Sequence, residues 1–364
     1  MIPLTSPDHI TIEAPGRICL FGDHQDYLGL PVIACAINRK IVLSAKRNNS
    51  EYFEIFMPDV SSERTISILE SFDALEPQDY FASALRVVKR YGCVPNFGYT
   101  IEIKGDIPIN AGVSSSSALV VAWVHFLLKA FGCNQTVTPQ LIAQLAYEAE
   151  VLEHHSPGGR MDQYTIALGN ILYIDTSKDL AFKTIGNSLK GLILAESGIP
   201  KETIGLLSEM RTKATKSIDF VKNKHPYFDI KMATLEDYKH LSKEIPVDLN
   251  PYFYATLKNH AITQKALKAF ETEPFDSKII GKLMNEHHNV LKEVLKITVP
   301  KIDKMINVAL NTEAYGTKIV GSGGGGSIVV LAPEHKKEVI INALLDNGAK
   351  AAYEVSITEG TLTI

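Results

Sequence analysis

The sequence predicts a mixed fold of strands and helices arranged as two domains. Its 364 residues, 45% hydrophobic and 21% charged, have an ordinary soluble composition and are enough for two domains of typical size. Runs of period two and runs of helical period alternate through both halves. No internal repeat and no low-complexity linker interrupts them, so the boundary is expected near residues 180–190, giving units of 1–185 and 186–364.

In chain order, Ile10 and Ile12 alternate with Thr11 and Glu13, a strand pattern. Tyr99, Ile101 and Ile103 alternate with Thr100, Glu102 and Lys104 in the same way. Ala118 to Phe131 is apolar nearly all round and stops at Gly132, which reads as a buried helix with a glycine end. Thr138-Pro139 opens the next helix as N-cap and first turn, with a stripe through Leu141, Leu145, Ala149 and Leu152. In the second half, Gly191 to Ala195 reads as a strand and Ile199 to Lys224 as mostly helix. Residues 225–250 are polar and irregular, a surface excursion. Ile262 to Phe270 and Ile279 to Val294 are helical. Short β-branched strands, Lys318 to Val320 and Ser327 to Leu331, flank a glycine loop, and a helix (His335 to Leu345) and a strand (Ala352 to Ile357) close the chain.

Composition excludes several functions. A net charge of −4 gives no footprint for nucleic acid or an anionic membrane. No apolar stretch is long enough to cross a bilayer, and Met1 to Asp8 lacks the basic-then-apolar pattern of a signal peptide. Cys19, Cys35, Cys93 and Cys133 are scattered, with no Cys-x-x-Cys pair. That fits a reduced cytoplasmic protein rather than a disulfide scaffold or a zinc site.

Four segments carry chemistry. Pro108 to Ala118 runs a glycine and four serines, Ser114 to Ser117, into an apolar helix. Free N–H groups and the helix dipole at such a start attract anions, and a serine hydroxyl can ligate Mg²⁺. With no Walker Gly-Lys-Thr present, a plain serine N-cap is the alternative. Ala14 to Gly29 leads a strand into a loop holding Asp23, His24, Asp26 and Tyr27, groups able to bracket a polyol or to form a solvated turn. Gly158-Gly159-Arg160-Met161-Asp162-Gln163 places an acid after a glycine pair, as a base for a hydroxyl or as a helix cap. Gly321 to Ser327 allows either close approach to a ligand or a tight hairpin.

Taken in order, the loop at 14–29, the serine-rich helix start and the late glycine loop closely resemble the three signature motifs of the galactokinase, homoserine kinase, mevalonate kinase and phosphomevalonate kinase (GHMP) family. The likeness runs through nearly the whole chain, including Asn285-Glu286-His287-His288 and Val299 to Asp303. Asp26-Tyr27 and Met161-Asp162-Gln163 match its galactokinase-like branch. The resemblance implies an α+β, two-domain fold: an N-terminal domain like the second domain of ribosomal protein S5, and a C-terminal ferredoxin-like α/β sandwich, with the site between them. It implies a kinase that uses ATP and Mg²⁺ on a small molecule, galactose or a related sugar, as monomer or homodimer. It puts Gly112, Ser114, Ser115, Ser116 and Ser117 on ATP, and Ser116 and Glu150 on the metal, with Glu148 and Glu153 as the competing acids on that helix. Asp162 becomes the catalytic aspartate, the base for the hydroxyl, assisted by Arg17, while Asp23, His24, Asp26, Gly158, Gly323 and Gly324 meet the sugar. Two departures bear on substrate. Asp23 replaces the usual glutamate of galactokinases, and Arg160 stands where they carry a small or apolar residue, facing an anionic substrate or solvent. A uronic acid, heptose, N-acetylhexosamine or mevalonate, or a non-catalytic sugar sensor, are the alternatives.

Overall fold

The structure, a computed structural model, describes residues 8–186, 189–201 and 204–364. The first part runs β1 (His9–Phe21), β2 (Val32–Arg47), β3 (Tyr52–Met57), β4 (Ser62–Ser67), α1 (Tyr80–Arg90), β5 (Tyr99–Gly105), α2 (Ser115–Phe131), α3 (Pro139–Tyr147), α4 (Met161–Leu168), β6 (Ile171–Asp175) and β7 (Ala181–Gly186). Then follow β8 (Leu192–Glu196), α5 (Ile204–Lys224), α6 (Leu235–Leu241), α7 (Asn250–Phe270), α8 (Ser277–Asn289) and α9 (Pro300–Asn311). The chain closes with β9 (Gly316–Val320), β10 (Ser327–Leu331), α10 (Lys337–Asp346), β11 (Ala351–Val355) and β12 (Leu362–Thr363). Of the helix expected from Ile199, residues 202–203 lie outside the described residues, and so does the chain start up to residue 7.

The first sheet has the order β12-β1-β2-β5-β3-β4, with β6 and then β7 also branching from β2. One long strand serves both branches: Val32 to Cys35 of β2 pair with β6, and Ile41 to Arg47 pair with β5. The buried helix expected over Ala118 to Phe131 is α2, which lies on β1 and β2. Its Trp123 is fully buried, edge-on to Phe53 and Phe81. Full burial of such side chains stabilises by about 1.5–3 kcal/mol each, so this cluster anchors the unit.

The second sheet is antiparallel in the order β11-β8-β10-β9. Two β-α-β passes give that order, the ferredoxin-like arrangement. Its central strands β8 and β10 read as near-continuous apolar runs because both faces are covered. Ile193, Ile319, Ile328 and Val330 pack with Ile302 and Met305 of α9 and Leu344 of α10. Leu192, Leu194, Val320 and Val329 join the main core with Ile262 of α7 and Met284 of α8. The α+β two-unit fold is therefore the one observed. We propose a division between β7 and β8, with the chain after Val355 assigned to the first unit, because β12 returns to pair with β1.

Two expectations need correction. Residues 225–250 are no simple excursion. They carry α6 and bury Ile230, Ile245 and Leu249 with Phe253, Leu257 and Leu30, an apolar cluster of their own. The stripe ending at Leu152 also fails, since that side chain is 49% exposed. The helix widens to a π turn over Glu148–Leu152, and the extra residue rotates everything beyond it.

Candidate active site

A cavity of about 350 Å³ opens between the two units. Arg17, Asp23, His24, Asp26, Ser114, Ser116, Ser117, Glu150, Gly158 and Asp162 line it, so most of the expected residues meet there.

Strand β1 supplies Arg17 just after a bulge at Pro15/Gly16. The guanidinium forks onto Asp162, Nε to Oδ1 at 2.8 Å and Nη2 to Oδ2 at 2.8 Å, while Nη1 donates to the Gly112 carbonyl at 2.5 Å. Asp162 is the second residue of α4, where the helix dipole favours a negative charge. Burial works to raise its pKa, but Arg17 and the Ser114 hydroxyl outweigh that and hold the carboxyl below its ordinary value.

At the start of α2 the serines divide their work. Ser114 takes a left-handed backbone (φ 62°) and makes no side-chain cap bond, because its hydroxyl donates to Asp162 instead. Ser115 does not reach the cavity, Ser116 is exposed to it, and Ser117 is buried and donates to Glu150 at 3.0 Å.

The π turn settles which acid faces inward. Glu150 is buried and accepts a second bond from Gln163 at 2.6 Å. Glu148 is taken up by Tyr91 and Gln144, and Glu153 by Arg86 and Arg90. Burial raises the Glu150 pKa, with the neighbouring Asp162 charge adding to the rise. A cation beside it would relieve both. Among the described residues no cluster of three or more His, Cys, Asp or Glu could hold a metal. Two hard oxygen donors, Glu150 and Ser116, suit Mg²⁺, which keeps waters and phosphate oxygens in its shell.

Asp26 belongs to a short turn, Asp26–Leu28, and its Oδ1 accepts the Tyr27 N–H at 3.0 Å. Burial, and then the charge of Asp162, push its pKa up to about 6. A Cβ on Gly159 would overlap the Asp26 carboxylate, so glycine is required there for the loop to close. Nδ1 of His24 meets the Tyr27 hydroxyl at 3.0 Å.

Some of the expected residues lie off the cavity wall. Gly112 and Ser115 do not line the cavity. Neither do Gly323 and Gly324; Gly321 and Ser322 do. Gly324 N–H donates to the Ile297 carbonyl at 2.8 Å, and a Cβ on Gly323 would strike Ile297, so both glycines pack closely on that residue. Arg160 lies over the Tyr147 ring at 5.2 Å and is not among the residues that line the cavity. Sequence reading missed Lys201, which lines the cavity and feels the charges of Asp162 and Glu150. No pattern around Ile199-Pro200-Lys201 marks it. It also passed over Lys318, a lone cation in an apolar strand, which was a usable signal.

An anion-attracting helix start beside a buried glutamate, with an ionised aspartate across the same cavity, defines a small-molecule phosphotransferase site. The comparisons agree. Residues 79–170 match the GHMP kinases N-terminal domain, 265–350 the GHMP kinases C-terminal domain, and 5–47 the galactokinase galactose-binding signature. A galactokinase of Haemophilus influenzae (strain PittGG) is 28% identical over 94% of this chain and 90% of its own length. A mevalonate kinase of Thermococcus gammatolerans is 25% identical over 95% and 96%. The Lactococcus lactis galactokinase solved with galactose shares the fold at a TM-score of 0.87, with 20% identity over 99% of this chain and 96% of that one. The chain belongs to the GHMP kinase family, and is a phosphotransferase with an alcohol group as acceptor.

Proposed function

We propose that this protein is an ATP-dependent sugar kinase that moves the γ-phosphoryl group of ATP to the anomeric hydroxyl of galactose or a related monosaccharide. The observation that carries the reading is the Arg17–Asp162 fork opening on the same cavity as Asp26 and Ser116. The match of residues 5–47 to a galactose-binding signature supports the choice of acceptor.

In this reading the α2 start, with Ser116, holds the phosphates, and Lys201 adds positive charge from the second unit. Glu150 and Ser116 hold Mg²⁺, which when bound neutralises phosphate charge. Asp23, His24 and Asp26 bracket the sugar hydroxyls. Asp162, kept ionised by Arg17, orients the attacking hydroxyl and takes its proton as the new P–O bond forms and the bond from the γ-phosphorus to the bridging oxygen breaks, releasing ADP. Catalysis of this kind is mainly positioning and charge neutralisation. The thiols are unpaired, and we place the protein in the cytoplasm.

Mevalonate is the second reading, favoured by the Thermococcus relative. One screen separates them: ADP release with ATP, Mg²⁺ and, in turn, hexoses, uronic acids, N-acetylhexosamines, heptoses and mevalonate. Galactose or a close relative gives the strongest release. Release with mevalonate alone, or with no acceptor at all, removes the sugar-kinase reading.

A further inference from the structure

Asp23 has a partner that the chemistry above leaves unused. Lys318, in the middle of β9, is fully buried. Its Nζ lies 2.8 Å from Asp23 Oδ2 and donates to the carbonyls of Cys19 at 2.9 Å and Ile319 at 2.8 Å. Two of its hydrogens go to those carbonyls, and the remaining close contact of the ammonium is the ion pair with Asp23. The other residues of the strand, Gly316, Thr317, Ile319 and Val320, are buried and uncharged. Strand formation does not call for a cation there, and a buried ion pair is on average no more stabilising than apolar residues of the same volume. The pair also joins the two units: Asp23 follows β1 in the first, and Lys318 belongs to the second.

Other basic groups near Asp23 are occupied or neutral. His287 approaches the same oxygen at 3.8 Å and stacks on Phe21. Burial pushes its pKa down to about 3, and burial likewise takes His288 to about 4, so neither carries charge near neutrality. Burial lowers His24 as well. Arg17 directs its donors to Asp162 and Gly112. Lys318 is therefore the cation that answers Asp23, and Asp23 in turn lines the cavity.

We propose that Lys318 is a positioning and specificity-determining residue: from the second unit it anchors one oxygen of Asp23, so that the carboxylate meets a single hydroxyl of the acceptor. This rests on the sugar-kinase reading. A carboxylate held at one oxygen has one orientation to offer, and a site built to pair with a hydroxyl discriminates strongly against analogues lacking it. Release of the anchor frees the carboxylate to turn and leaves it buried without its counter-ion.

The test is steady-state kinetics of Lys318→Met, Asp23→Asn and the double variant, with galactose and each monodeoxygalactose as acceptor. Lys318→Met is expected to raise the galactose KM by about tenfold or more, because Asp23 loses its buried counter-ion. The ATP KM and the kcat at saturating galactose stay within about twofold, a split that general loosening of the fold would not give. The wild type discriminates against one monodeoxygalactose, and Lys318→Met narrows that ratio alone. In the double variant the two losses are not additive, because both remove one contact. A folded Lys318→Met with unchanged galactose KM overturns the inference, and so do additive losses. Should Lys318→Met fail to fold by circular dichroism, the double variant, which leaves no buried charge unpaired, decides: sugar kinetics matching Asp23→Asn support the inference, and a further loss overturns it. Wild-type protein that releases no ADP with any sugar overturns the sugar-kinase reading, and this inference with it.

Discussion

The serine loop at 110–117 and the glycine loop at 321–327 meet backbone to backbone. A Cβ on Gly321 would come within 2.9 Å of Gly112 Cα, and one on Gly326 within 3.0 Å of the Ala111 carbonyl oxygen. Both loops are rich in small residues, and both resemble ligand loops in sequence. They are used differently. The serine loop turns Ser114 to Asp162, Ser116 to the cavity and Ser117 to Glu150. The glycine loop brings only Gly321 and Ser322 to the cavity, while Gly323 presses on Ile297 and Gly325 on Ile199 and Pro200. In the first loop the serine hydroxyls are directed to the site; in the second the glycines mainly make room for the protein. Substitutions on the serine-loop side should therefore strike activity, and substitutions in the glycine loop should strike stability.

The largest effect lies on the activity side. Asp162→Asn keeps the shape and removes the charge, and turnover is expected to fall by roughly 10²–10⁴ while ATP still binds. Turnover by ADP release and ATP binding by calorimetry check this, and near-normal turnover removes Asp162 from the mechanism. Next comes Gly321→Ala. Its φ of +85° is strained for alanine and its Cβ meets the facing loop, so a stability loss of about 1–3 kcal/mol is expected in urea unfolding. Gly158→Ala, with nothing nearer than 3.7 Å, stays within about 0.5 kcal/mol of wild type. Equal losses in the two variants would show that contact with the facing loop is not what makes Gly321 necessary.

A smaller effect belongs to the metal side. Ser116→Ala and Glu150→Ala each raise the Mg²⁺ concentration for half-maximal activity, by about tenfold, through loss of one oxygen ligand. Glu148→Ala and Glu153→Ala leave it unchanged, since those acids are engaged elsewhere. The smallest effect is a pH limb. Asp26, raised to about 6 by burial and then by Asp162, is protonated in the folded protein at pH values where the unfolded chain is ionised. Its stabilising contribution is full below the unfolded pKa, near 4, and is lost as pH rises through about 6. Sugar affinity follows the opposite sense, improving as the carboxylate ionises, so kcat/KM for galactose rises through about pH 6. Asp26→Asn abolishes that limb; its persistence would assign the limb to another group.

The same comparison explains what was legible. The buried helix α2, the Thr138 cap and the strands beside the glycine loop follow from local periodicity and capping, and they stand where expected. Glu150 could not be separated from Glu148 and Glu153, because a helical wheel assumes 3.6 residues per turn and the chain adopts a π turn there. Strand β2 was not named, since its branching between β5 and β6 depends on partners far away in sequence. Gly323 and Gly324 were assigned to the ligand because a glycine needed for protein contact reads the same as one needed for phosphate. Lys201 reaches the cavity only through the packing of the two units.

The central claim is transfer to the anomeric hydroxyl of a galactose-like sugar. Phosphorus NMR of a reaction with ATP, Mg²⁺ and galactose, coupled to the anomeric proton, tests it directly. The account predicts one new phosphate signal coupled to the proton on carbon 1, with loss of the ATP γ signal. A phosphate on any other carbon, or an unchanged ATP spectrum with galactose while mevalonate is phosphorylated, would contradict it.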